Sequence, residues 1–341
     1  MMHRLQYRRY RLPFRVPLRT AHGVWTEREG LLLRLEDETG RVGWGEAAVL
    51  PWFGTETADE AEAACRALGE YFDGAELGRV PAGLGCLRQA LTAALDDGAM
   101  PAAAKPLPVA ALLPAGRTAL LRVGPLAEAG YRVFKWKVGV EPAGDELALF
   151  DDLCARLPDG GRLRLDANGA WDRRTAEKWL ERAAERPVEF VEQPCFAKAS
   201  HGADLLRRTE DLLLGLAADY PTPLALDESL VGEADVGRWL ERGWRGVFVL
   251  KPSLCGEVGA TMARLAAAKA MVVFSSALET AVGAKAALTA AFRWPGEPRA
   301  LGFGVWPLFA DGRLDGPPAA PFLRPEDVQR INAEAVWSAL S

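Results

Sequence analysis

An α/β barrel carried behind a smaller α+β portion is the fold class this sequence predicts, and three observations predict it. From Val109 to Phe303 the chain repeats one unit: a short apolar run, a loop with polar residues, and a helical pattern. Several runs end in a charged residue, as expected where parallel strands present their C-terminal ends at a barrel mouth. The first hundred residues differ in texture, with strand patterns joined by a polar turn.

In that first portion, Leu31-Leu32-Leu33-Arg34-Leu35-Glu36, the turn Asp37-Glu38-Thr39-Gly40 and Arg41-Val42-Gly43-Trp44-Gly45-Glu46 read as a β-hairpin. Thr57-Ala58-Asp59-Glu60 has capping-box form and opens an alanine-rich helix. The stretch from Met100 to Pro106, rich in alanine and proline, marks the boundary with the remainder. The runs then follow as Val109 to Leu113, Val133 to Val138, Leu163 to Asp166, Val188 to Val191, Leu224 to Leu226, Val247 to Leu250, Val272 to Phe274, and Leu301 to Phe303. Between them Leu147, Phe150, Leu153 and Leu157 recur at helical spacing, as do Leu180 and Ala183 after a start at Asp172. The rival is a doubly wound open sheet, but no G-x-G-x-x-G follows the first strand of the repeat, and the barrel is preferred.

At 341 residues, 49% hydrophobic and 26% charged, the chain has the composition of a globular protein with more than one domain. A net charge of -5 offers no basic stripe for nucleic acid and no polybasic membrane patch, so a small-molecule ligand is expected. The N-terminus lacks an apolar signal region, no window approaches a membrane span, and the expected location is cytoplasmic. Cys65, Cys86, Cys154, Cys195 and Cys255 are scattered without C-x-x-C spacing and read as buried thiols, with only Cys195 close to a chemical motif.

The chemistry gathers at the strand ends. Lys135 and Lys137 share one face of a strand because side chains alternate, and they face inward asking for an anionic partner. Leu165-Asp166-Ala167-Asn168, Val191-Glu192-Gln193-Pro194 and Leu226-Asp227-Glu228-Ser229 each end an apolar run with a carboxylate, and Val249-Leu250-Lys251 ends another with a lysine. Oxygen-only ligation by three carboxylates favours a hard cation such as Mg²⁺. His3, His22 and His201 form no zinc or iron pattern. Alone, each carboxylate reads as a helix cap or arginine partner, and each lysine as one half of a salt bridge; together they describe an acid/base site around a metal.

The order Lys135-x-Lys137, Asp166-Ala-Asn168-Gly, Glu192-Gln-Pro, Asp227-Glu228-Ser and Lys251-Pro-Ser resembles the enolase superfamily in its muconate-lactonizing branch. Such sites are described as lysine or histidine bases working with Mg²⁺. Within the branch the likeness is to the o-succinylbenzoate synthase family, from Pro13-Phe14-Arg15 and Gly43-Trp44-Gly45-Glu46 through Phe274-Ser275-Ser276-Ala277-Leu278-Glu279. The resemblance implies a modified (β/α)7β TIM-like barrel with an N-terminal α+β capping domain. It divides the chain into a capping domain at 1–104, a barrel at 105–305 and a C-terminal segment at 306–341 that packs back on the capping domain. It makes Asp166, Glu192 and Asp227 ligands of Mg²⁺, for which Mn²⁺ is a possible substitute, with Asn168 and Glu228 supporting them. Lys137 becomes the acid/base and Lys251 its partner across the substrate, with Lys135 an electrostatic neighbour. Ser275 and Ser276 offer N–H groups and hydroxyls to a carboxylate, and Thr20 to Trp25 looks like a lid in which His22 could touch substrate.

The implied reaction is syn dehydration of a succinyl-hydroxycyclohexadiene carboxylate to o-succinylbenzoate, in menaquinone or phylloquinone biosynthesis. Isomerases of the same superfamily are the alternative: an N-succinylamino acid racemase, a dipeptide epimerase or a muconate cycloisomerase. Ala300 to Trp306 lacks the Asp-x-Asp of dipeptide epimerases, and no histidine follows His201 as mandelate-racemase-like members need. A non-catalytic binding barrel is a third reading, disfavoured because no lysine or candidate ligand is missing.

Overall fold

A computed structural model describes residues 1–20, 23–198 and 201–340. The N-terminal part is a four-stranded antiparallel sheet of β1 (Met2–Thr20), β2 (Gly23–Asp37), β3 (Val42–Ala47) and β4 (Tyr71–Asp73), in the order β3-β2-β1-β4. Two helices, α1 (Ala58–Leu68) and α2 (Gly85–Leu95), cover it. The expected capping box is formed: Glu60 N–H donates to Thr57 Oγ1 at 3.2 Å and Thr57 N–H to Glu60 Oε2 at 2.7 Å. Strand β3 explains its Gly-Trp-Gly-Glu pattern, because a Cβ at Gly43 or Gly45 would lie within 2 Å of the α2 carbonyl oxygens of Ala94 and Ala90. Trp44 and Glu46 therefore point the other way, and Trp44 meets Trp337 at 5.6 Å between ring centres.

The second part alternates strand and helix. Its strands are β6 (Ala111–Leu113), β7 (Val133–Lys137), β8 (Arg162–Asp166), β9 (Val188–Glu192), β10 (Leu224–Leu226), β11 (Val247–Leu250) and β12 (Met271–Phe274). They are parallel and neighbour one another in sequence order. Seven strands would leave two open edges, and the eighth run closes them with two residues. Leu301 bridges to Val109, just before β6, and Gly302 bridges to Ser275, just after β12. The interval that ends there carries a helix, α9 (Ala281–Phe292), as expected. Between strands lie α3 (Thr118–Glu128), α4 (Ala143–Cys154), α5 (Arg173–Ala183), α6 (Ala203–Asp219), α7 (Glu233–Glu241) and α8 (Val258–Ala267).

The helix layer is packed from the outward faces of the strands. Phe134 and Trp136 of β7 are wholly buried there, Trp136 against Trp179 of α5 at 6.2 Å, which turns Lys135 and Lys137 to the interior. A short pair, β5 (Leu107–Pro108) with β13 (Phe322–Leu323), lies beside the entry to the barrel. The C-terminal residues pack against the antiparallel sheet, where the Arg8 guanidinium lies 4.3 Å over the Trp337 ring and donates to its carbonyl at 2.6 Å. All five cysteines are free, and no helix of the described residues is long and apolar enough to cross a membrane.

Candidate active site

The strand-end residues fall into one row of the barrel ladder. Lys137 is paired in register with Asp166, Asp166 with Glu192, and Glu192 with Ala225, two residues before Asp227. Lys251 follows β11, four strands from β7 in a ring of eight, and so stands on the opposite wall. A 240 Å³ cavity brings Lys135, Lys137, Asp166, Asn168, Asp227, Glu228, Lys251, Ser275 and Ser276 onto one surface. Glu192 lies behind it, 1% exposed, reached through Lys135. A larger cleft of 670 Å³ shares Glu228, Trp52 and Phe53 but contains neither Lys137 nor Lys251, so size alone does not locate the candidate site.

Charge in the row is densely compensated. Lys135 Nζ donates to Glu192 Oε1 at 2.7 Å and sits 3.0 Å from Asp166 Oδ2. Burial opposes the Lys135 charge, yet the two carboxylates outweigh it and raise its pKa. Burial likewise opposes ionisation of Asp166, and Lys135 and Lys137 hold it low instead. Glu192 moves upward, first through burial and then through repulsion by Asp166. Lys137 Nζ donates to Asn168 Oδ1 at 2.9 Å, and Asn168 Nδ2 donates to Glu228 Oε1 at 2.9 Å, forming a chain from base candidate to carboxylate. Burial and repulsion by Asp166 push Glu228 up to about 7. Lys251 donates to Asp227 and lies 4.5 Å over the ring of Phe53. Burial, the largest influence, brings its pKa down to about 7 in spite of the attraction of Glu192.

Backbone strain accompanies these residues. Asn168 has φ +45° and Gln193 φ +37°, both in the left-handed region that non-glycine residues seldom occupy. Gln193 was not singled out from the sequence, but its side chain joins two strand ends. Its Oε1 accepts from Asp227 N–H at 2.9 Å and Ser229 N–H at 3.2 Å, and its Nε2 donates to Ser229 Oγ and the Cys195 carbonyl. Gln193 thereby sets where Asp227 projects. The only available signal was an amide following a strand-end glutamate.

One expectation is corrected in detail, and one is met. The Ser275 and Ser276 N–H groups do not face a ligand, because they donate to Leu250 and Gly302 carbonyls and close the barrel. Ser276 Oγ is also engaged, donating to Glu279 at 2.9 Å and accepting from Leu278 N–H at 2.9 Å, which leaves Ser275 with one long 3.4 Å contact to the Gly302 carbonyl. Cys195 belongs to the core, and burial raises its thiol to about 12. His22 lies outside the described residues, while Leu18 and Trp25, on either side of it in sequence, line the cavity. Trp52 and Phe53 carry no sequence signal; with Trp25, the last residue of the segment expected to form a lid, they form an edge-to-face ladder over the mouth, with centroids 4.5 Å and then 5.5 Å apart.

Among the described residues no three acidic, histidine or cysteine side chains are drawn together as a metal cluster. The ammonium groups of Lys135 and Lys251 lie against the three candidate carboxylates instead. The donor set nevertheless fits a hard divalent cation. It is all oxygen, buried, and crowded enough that Glu192 and Glu228 resist ionising beside Asp166.

The family profile "Enolase C-terminal domain-like" matches residues 121–320, and "MenC, N-terminal domain" matches residues 2–82. Fold and site thus define an enolase-superfamily barrel with its capping domain. An o-succinylbenzoate synthase of Thermosynechococcus vestitus is 40% identical over 309 residues, covering 89% of this chain and 92% of that one. A crystal structure of the Thermosynechococcus elongatus o-succinylbenzoate synthase, with Mg in its active site, superposes with TM-score 0.83 at 36% identity, covering 98% and 99%. A dipeptide epimerase of Enterococcus faecalis shares the fold at TM-score 0.79 with 19% identity, covering 95% and 96%. The chain belongs to the o-succinylbenzoate synthase family.

Proposed function

We propose that this chain dehydrates 2-succinyl-6-hydroxy-2,4-cyclohexadiene-1-carboxylate to o-succinylbenzoate, a step of menaquinone or phylloquinone formation, in the cytoplasm. The observation that carries the reading is a single cavity with Lys137 on one wall, Lys251 on the opposite wall and a carboxylate row between them. The C–H bond α to the carboxylate and the ring C–OH bond break, a ring double bond forms, and water leaves. Lys137 takes the α-proton and delivers it to the departing hydroxyl on the same face, so a single amine serves both transfers. Asn168 orients that amine through its 2.9 Å contact. Lys251 presents its ammonium to the ring from the other side, where Phe53 already makes an aromatic contact of the same kind.

Asp166, Glu192 and Asp227 would hold Mg²⁺ or Mn²⁺, with Glu228 and Asn168 behind them. The bound cation supplies positive charge to the substrate carboxylate and makes the α-hydrogen more acidic. Lys135 offsets the charge of Asp166 and Glu192. We place the domain boundary near residue 104 and the C-terminal segment from residue 306 onward. Purified protein with Mg²⁺ should bleach the diene absorbance as the aromatic product appears. Unchanged absorbance overturns the reading, and proton exchange at the α-carbon of N-succinyl amino acids without bleaching favours a racemase.

A further inference from the structure

The turn between β12 and α9, Ser275 to Leu278, lines the cavity, yet it is held in shape by the capping domain. Arg28 of β2 is 3% exposed. Its guanidinium donates to the carbonyls of Glu29 and Val49, both at 2.5 Å, within the capping domain. It also donates across the interface to the carbonyls of Leu278 at 3.1 Å and Ala277 at 3.4 Å. Glu46 of β3 holds the chain just beyond the same turn. Its carboxylate accepts from Thr280 N–H at 2.9 Å, Thr280 Oγ1 at 2.5 Å and Gly283 N–H at 2.9 Å, in the first turn of α9. Tyr10 adds a hydroxyl at 2.6 Å. Negative charge at a helix N-terminus is favourable, and here it comes from the other domain.

The chain makes room for this contact. A Cβ at Gly283 would lie 2.9 Å from Glu46 Oε2, and one at Gly30 only 2.4 Å from the Tyr10 hydroxyl. At the Arg28 anchor Leu278 has φ +60°, a conformation that a leucine keeps only when its surroundings impose it. Arg28 on its carbonyl and Ser276 Oγ on its N–H are those surroundings.

We propose that Arg28 and Glu46 are positioning residues for the reaction: from the capping domain they clamp the C-terminal end of the Ser275–Leu278 turn, Arg28 at Ala277 and Leu278 and Glu46 just beyond it at Thr280, and so fix the wall against which substrate is placed. This rests on the dehydratase reading only for its kinetic test. The clamp predicts that loss of Arg28 degrades binding more than chemistry, because the lysines and carboxylates stand on other strands.

The experiment compares Arg28→Met, Arg28→Lys, Leu278→Gly and the Arg28→Met/Leu278→Gly double variant. Arg28→Met should raise KM about tenfold or more with kcat within about threefold and Mg²⁺ affinity unchanged, and Arg28→Lys should fall between it and the parent. Glycine takes a positive φ without help, so Arg28→Met should cost distinctly less in the Leu278→Gly background. A kcat loss at constant KM, or equal effects of Arg28→Met in both backgrounds, overturns the clamp. Should Arg28→Met fail to fold, Arg28→Lys carries the KM criterion alone. Hydrogen exchange across residues 275–280 needs no substrate: faster exchange in the Arg28 variants supports the clamp, and unchanged exchange refutes it. A parent that turns over no dienecarboxylate refutes the function, and the exchange result still decides the clamp.

Discussion

The mouth of the barrel and the roof above it are built on different principles. At the mouth, Lys135, Lys137, Asp166 and Glu192 are strand residues whose spacing is set by main-chain ladders, and Asp227 and Lys251 immediately follow strands. The roof is Leu18, Trp25, Leu50, Trp52 and Phe53, contributed by the capping domain and stacked edge to face. The charged groups proposed to carry proton transfer ride on the rigid element, whereas shape and water exclusion come from a layer that can change without moving them.

The comparison can be broken in four ways. Chelation with EDTA should abolish turnover while far-ultraviolet circular dichroism stays constant, and Mg²⁺ or Mn²⁺ should restore it; activity surviving chelation would remove the metal from the mouth. Lys137→Ala should lower kcat by about 10³–10⁴-fold with fold and metal affinity retained, a loss no roof variant should match. Glu279, wholly buried behind the Ser275–Leu278 turn, tests the seam between the regions: burial and then the charge of Glu46 push it up to about 7. The folded state keeps that proton to higher pH than the unfolded state, so the contribution of Glu279 to stability should fall as pH rises from the usual carboxylate range to about 7 and then level off. The total is at most about 3 kcal/mol, and Glu279→Gln should flatten the melting temperature over that interval. Smallest, Phe53→Ala should raise KM about fivefold, roughly 1 kcal/mol, with kcat nearly unchanged. A kcat collapse there would place part of the chemistry in the roof.

The mouth was legible because its logic is local. Lys135 and Lys137 are two residues apart, and each carboxylate terminates its own apolar run, so alternation alone places them inside. Even the eighth strand, reduced to Leu301 and Gly302, could be located by counting intervals. The roof and its supports were not legible, since Arg28 with Leu278 and Glu46 with Thr280 are pairs more than two hundred residues apart that leave no periodic trace. Gln193 was hidden differently. It stands beside Glu192 in plain view, but only the fold shows that its amide reaches the next strand. The serine pair shows the opposite error in part: its N–H groups suggested a ligand and the barrel closure had already engaged them, while the Ser275 side chain still lines the cavity.

Because Lys137, Asp166 and Glu192 occupy one row of the ladder, the site tolerates insertion very unevenly. One residue added within Val133–Lys137 would turn Phe134 and Trp136 into the lumen and drive both lysines into the helix layer. The same residue added at the solvent end of α4 or α5 would leave the row untouched. Length variation among descendants of this chain should therefore accumulate on the outer layer and stop abruptly at three short strands, so that a gap map alone would outline the row.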